Sequence, residues 1–279
     1  MSSCRLATLS LVCLVLSAGR GLAAEPKVAA SILADRAEIA AGDSFRVGVL
    51  LKIPPSSHIY WLNPGDSGLP TSISWVAPAG IKVEELAWPA PTAIHDDVLG
   101  ETYFGYEHEV LLFSNVQTDK AAPAVPLHIE AKVDWLLCLE DSACIPGRAT
   151  LGIDIPIAGA STPSAAAAIF DVYAAQTPRY PSGSDVPASI EARAGEHSEL
   201  SVHLGAPWQV DLGKDALVEF FPSTGGAWKR AATGRDNGGS TVVFVPAKPV
   251  DDVPSGTLRL PVKNTERGET KVVYLRVEK

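Results

Sequence analysis

Apolar and polar residues alternate along most of the chain, in short bursts separated by turn residues. "DSFRVGVLLKI" (43–53) alternates and then meets Pro54 and Pro55. "SHIYWL" (57–62) runs into "NPGDSGLP" (63–70), a dense turn. "TSISWVAP", "IKVEELAWP", "EVLLFSNV" and "LHIEAKVDWLLCL" follow, each short, rich in β-branched or aromatic residues and closed by Pro, Gly or Asn. Period-two patterning at this spacing predicts a β-sandwich rather than strands alternating with helices.

One segment breaks the pattern. "ASTPSAAAAIFDVYAAQTP" (160–178) is helix-prone, with Ser164 as the expected N-cap and Pro178 as the stop. It predicts a short linker helix within 158–184. Strands then resume in "SELSVHL", "ALVEFF", "STVVFVP", "GTLRLPV" and "KVVYLRV". They predict a second, smaller β domain over 185–279.

The amino terminus changes the compartment. Arg5 is followed by the apolar core "LATLSLVCLVLSAG" and by small residues at Gly21 and Ala23, the layout of a cleaved secretory signal over 1–23. The apolar run is shorter than the ~20 residues that span a bilayer. Removing it takes away Arg5 and Arg20, so Lys plus Arg falls from 23 to 21 against 32 acids, a net charge of −11. That excess of acid argues against binding nucleic acid or anionic lipid. The reading is an exported protein in an oxidising compartment, with no membrane insertion of its own.

The signal also carries Cys4 and Cys13, which leaves Cys138 and Cys144 of the four cysteines, in "DWLLCLEDSACIPG" (134–147). A bond between them requires the chain to double back, and Asp141 and Ser142 are good turn formers. Closing so small a loop limits the unfolded chain by only ~2.4 kcal/mol. The pair is therefore a modest staple, and spacing leaves structural and redox use equally open. The six histidines show no metal-ligand spacing, so no metal and no cofactor is expected. Glu140 and Asp141 lie between the cysteines, and nearby anions raise a thiol's pKa. The pair thus reads as a carrier met by an activated partner.

"WLLCLEDSACIPG", "HIYWLNPGDSGLPTSISW", "LAWPAP" and "YFGYEHEVLLF" together resemble the amino-terminal periplasmic domain of the DsbD family of thiol:disulfide interchange proteins. The long "NPGDSGLPT" form looks closer to the ScsB branch, linked to copper tolerance. The resemblance covers 24–157 and implies an immunoglobulin-like sandwich carrying a redox disulfide, so the fold class expected is all-β, two immunoglobulin-like sandwiches with a helical linker. It implies Cys144 as the cysteine that forms mixed disulfides and Cys138 as the one that resolves them. It also implies a cap loop at "ETYFG", with Glu101 as its acid and Tyr103 and Phe104 as its aromatics. Thr102 stands where the family has a second acid.

Family members usually continue into a membrane domain and a thioredoxin-like domain. The expectation here is a stand-alone module that exchanges electrons with thioredoxin-fold periplasmic proteins and a separate membrane electron-transfer protein. The alternative is a non-enzymatic periplasmic interaction module whose disulfide is structural.

Overall fold

The computed structural model describes residues 26–120, 126–140, 143–179, 184–195, 197–213, 217–236, 239–248 and 250–278. The signal segment and the Asp141-Ser142 turn lie outside these residues. The fold is all-β, of the immunoglobulin-like sandwich kind, with one helix, Ala167–Gln176.

The amino-terminal half faces two sheets against each other. One has four strands in the order Ala29–Ala34, Ser44–Lys52, Glu109–Thr118, Ile81–Val83. The other has six. Its path runs Cys144–Ile155, Leu127–Leu139, Ser57–Gly65, Glu101–Tyr106, Thr92–Asp96, and Ser72–Val76 pairs with Leu127–Leu139. The alternation read from the sequence is what fills the space between them: Val49, Leu51, Ile59, Trp61, Leu112, Val133 and Leu137 are all buried in one cluster. Several strands carried weaker patterns, among them Glu101–Tyr106, the segment expected as a cap loop.

The carboxy-terminal half repeats the arrangement with two four-stranded sheets. Val202, Leu204, Phe220, Val242, Phe244, Leu258, Leu260 and Leu275 form its core. Phe221 is the exception. It leaves that cluster and is buried in the core of the amino-terminal half.

The helix is packed rather than free. At 10 residues it is too short to persist alone. Phe170, its one buried residue, sits against Leu50, Leu111 and Phe113. The expected N-cap needs correction, since Ala166 occupies the cap position without a side-chain bond. Ser164 instead accepts from the Ala166 N–H at 3.0 Å and donates to the Ala34 carbonyl at 2.6 Å, which ties the helix start to the first strand. The helix ends at Gln176, and Thr177 turns extended before Pro178, where a proline's neighbour disfavours helical geometry.

A buried charge anchors this corner. The Asp35 side chain is 3% exposed, and its carboxylate accepts from the Arg46 backbone N–H at 2.9 Å and from Arg46 Nε at 2.8 Å. Arg46 Nη2 also reaches Asp171 on the helix at 2.8 Å, and its guanidinium lies over the Phe170 ring. Arg36 Nη1 also lies 3.5 Å from Asp35 Oδ2, so Arg46→Met removes the closer of two cations. It is expected to destabilise the protein by about 1–3 kcal/mol, as a lower midpoint in urea unfolding, whereas a midpoint within error of the parent would refute this account.

Candidate functional site

The two cysteines are set by one hairpin. Leu127–Leu139 and Cys144–Ile155 pair antiparallel in unbroken register from Leu127↔Ile155 to Cys138↔Cys144. The cysteines are the last pair before the turn, directly opposite each other, and they are bonded. On its other side Cys138 faces His58. Side chains of opposed residues share a face, so both cysteines and His58 project to the same side, while Leu137 and Val133 project into the core.

The two cysteines differ in exposure. Cys138 is 3% exposed, in a buried cluster with Tyr60 and Tyr103 against which Ile94 and Leu136 pack. Cys144 is exposed and lies on the strand that ends the sheet. Two clefts flank this edge, one of about 390 Å³ and one of about 290 Å³, and both are lined by Trp135, Pro146, Gly147 and Arg148. Gly147 is required there, because a Cβ would stand 2.3 Å from the Trp135 indole nitrogen.

Tyrosines and one histidine enclose Cys138. The Tyr60 hydroxyl is 3.2 Å from Cys138 Sγ, and since a disulfide sulfur has no proton, the phenol donates. Burial, with Glu101 nearby, holds the Tyr60 phenol above its ordinary pKa, which keeps it a donor. Tyr103 meets Tyr60 edge to face, with centroids 6.0 Å apart, and stacks on His58 at 5.7 Å. Its hydroxyl donates to Glu101 Oε2 at 2.9 Å, and burial followed by that bond pushes its pKa up to about 12. Ser67 donates to the same oxygen. His58 Nε2 is buried and meets no hydrogen-bond partner among the described residues. Burial lowers the His58 pKa, against the opposing pull of Glu140.

The structure thus gathers Cys138, Cys144, Glu101 and Tyr103 from the residues singled out in the sequence. Phe104 goes elsewhere. Strand alternation turns it to the opposite face, where it packs on Phe221 and is 2% exposed. His58 and Tyr60 were missed. The signal was present in "HIY", where i and i+2 must share a face, but nothing in the sequence placed that face beside Cys138.

Residues 29–153 match the family model described as "Thiol:disulfide interchange protein DsbD, N-terminal". That span is similar to a DsbD amino-terminal domain. The matched span contains both cysteines and the strand Glu101–Tyr106. In fold, the chain is similar to the N-terminal periplasmic domain of ScsB from Proteus mirabilis, with 17% identity and a TM-score of 0.54 over 90% of this chain and 94% of that one. That likeness extends beyond the matched span into the second β half. The CupB6 tip adhesin from Pseudomonas aeruginosa aligns over 90% of this chain and 99% of that one, but at 9% identity and a TM-score of 0.15, which carries no structural meaning. No curated protein matches the chain.

Two measurements follow from this geometry. The Tyr60 hydroxyl can stabilise a Cys138 thiolate, and a hydrogen bond to a charged group contributes about 1.5–3 kcal/mol. Tyr60→Phe should raise the Cys138 thiol pKa in the reduced protein by roughly 1–2 units, read as thiolate ultraviolet absorbance against pH. His58 is held neutral, with a folded pKa below its ordinary 6.5. Its contribution to stability is then complete above pH 6.5 and is lost as pH falls from there through the folded pKa. His58→Phe should therefore lose less stability on acidification than the parent, and parallel losses in thermal melts across that window would contradict the reading.

Proposed function

We propose that this protein is a periplasmic thiol–disulfide exchange module, passing electrons through Cys138 and Cys144 to or from thioredoxin-fold partners. The observation that carries the reading is the asymmetry of the bond, with Cys144 exposed at a sheet edge and Cys138 buried beneath Tyr60 and Tyr103. In this reading the redox domain spans 24–157, a helix-bearing linker spans 158–184, and a second β domain spans 185–279. A signal at 1–23 exports the chain. Among the described residues no helix is long and apolar enough to cross a membrane. In this reading membrane-derived electrons arrive through a separate membrane electron-transfer protein.

The chemistry follows from access and charge. A partner thiolate attacks Cys144 Sγ in line with the S–S bond, a new bond forms to the partner, and Cys138 leaves as a thiolate. Tyr60 donates to that thiolate, which then takes up a proton. The partner's second thiolate attacks its own sulfur in the mixed disulfide and releases Cys144. The partner dithiol has lost two electrons and two protons, and the Cys138–Cys144 pair has gained them. Run backwards, the same steps reduce a partner disulfide. Glu101 and Glu140 beside the pair disfavour self-activation, so the low-pKa thiolate comes from the partner.

The surface around Cys144 supports such a visitor. Among the described residues the strand pairs with no further strand on its outer edge, and Leu69 beside it is 63% exposed. The test is a trapping experiment in the periplasm. Cys138→Ser should accumulate a mixed disulfide between Cys144 and a thioredoxin-fold protein, and Cys144→Ser should not. Absence of any trapped partner, together with a reduction potential below about −300 mV, would assign the bond a structural role in a non-enzymatic module.

A further inference from the structure

The end of the strand Ser57–Gly65 and the bend at Asp66 and Ser67, together the 63–68 turn, are held from two sides. On one side it grips the strand that encloses the disulfide. The Asp66 N–H donates to the Thr102 carbonyl at 2.9 Å, and the Thr102 N–H donates to Asp66 Oδ2 at 2.9 Å. Ser67 donates to Glu101, the acid that holds the Tyr103 hydroxyl. Contact is close enough to demand glycine twice. Gly65 has φ +92°, and a Cβ there would lie 2.3 Å from the Thr102 carbonyl. Gly68 has φ +107°, and a Cβ would lie 2.3 Å from the Tyr60 ring.

On the other side the same turn is held by the carboxy-terminal half. Asn63, 6% exposed, donates through Nδ2 to the Pro222 carbonyl at 2.8 Å and the Gly225 carbonyl at 3.0 Å. Lys248 Nζ reaches Asp66 Oδ1 at 3.1 Å. Phe221 meets Phe104 and Trp61 edge to face at 5.6 and 6.3 Å. Asp66 thus joins Lys248 to the backbone of Thr102, next to Tyr103.

We infer that the carboxy-terminal β half positions the cover over the disulfide, with Asn63, Asp66, Lys248 and Phe221 as positioning residues. They hold the 63–68 turn against Glu101–Tyr103 and so set how readily Cys138 separates as the leaving sulfur when a thiol attacks the exposed Cys144. The inference rests on the exchange reading above, and it gives the second half a role in that chemistry without any contact with sulfur. Loosening the bracket speeds attack in both directions. It leaves the equilibrium between disulfide and dithiol nearly unchanged, because none of the bracket residues touches either sulfur.

The test is the rate at which a small dithiol, dithiothreitol, reduces the bond in the full chain, alongside the reduction potential and the thermal midpoint. Lys248 is 75% exposed, so Lys248→Met leaves the fold intact. An exposed ion pair supports a rate gain of about 1.5-fold to fivefold, and Lys248→Arg should return the parent rate. Asp66→Ala also removes the acceptor for Thr102 and should gain about tenfold or more. Val202→Ala, in the core of the second half, is the control for general destabilisation. It should lower the thermal midpoint without changing the rate. Rates for Lys248→Met and Asp66→Ala equal to the parent would overturn the inference, as would an equal acceleration by Val202→Ala. Dithiothreitol needs no protein partner, so this result stands apart from the trapping experiment.

Discussion

The strand Leu127–Leu139 pairs with Cys144–Ile155 along one side and with Ser57–Gly65 and Ser72–Val76 along the other, and its register places Cys138 opposite both Cys144 and His58. A slip of one residue would turn Cys138 into the core and send Leu137 and Val133 to the surface. Burial of those apolar residues therefore enforces the position of the disulfide. The bond inherits its placement from hydrophobic packing on the opposite face of the same strand.

That placement produces two unlike sulfurs from a symmetric chemical bond. Cys138 sits under Tyr60 and Tyr103, and Cys144 opens the strand that lies at the edge of the sheet among the described residues. The environment of Cys138 contains one phenol donor close to the sulfur and carboxylates further out. Such a site accepts a leaving thiolate better than it generates an attacking one, which matches a carrier that depends on its partner for activation.

The cover over Cys138 is a continuation of the sheet rather than a loose flap. Glu101–Tyr106 pairs with Thr92–Asp96 and Ser57–Gly65, so Tyr103 on one face and Phe104 on the other are fixed by a single backbone. Phe104 in turn packs on Phe221 from the far half of the chain. Displacement of Tyr103 is thereby coupled to a contact between the two halves.

The sequence by itself determined the all-β class, the place of the helix near 160–178 and the doubling back of the chain between Cys138 and Cys144, whereas Tyr103 and Glu101 came only through the resemblance to the DsbD family. Alternation at period two, turn residues and a family-like motif are all local signals, and local signals suffice for these. They did not suffice for Ser164, whose hydroxyl bonds the Ala34 carbonyl instead of capping the helix, because that acceptor is distant in sequence. Nor did they place Phe104, which the strand's alternation turned away from the disulfide. Only the tertiary structure brought His58 and Tyr60 to Cys138 and Lys248 to Asp66, because strand order and register join segments whose separation along the chain carries no periodic trace.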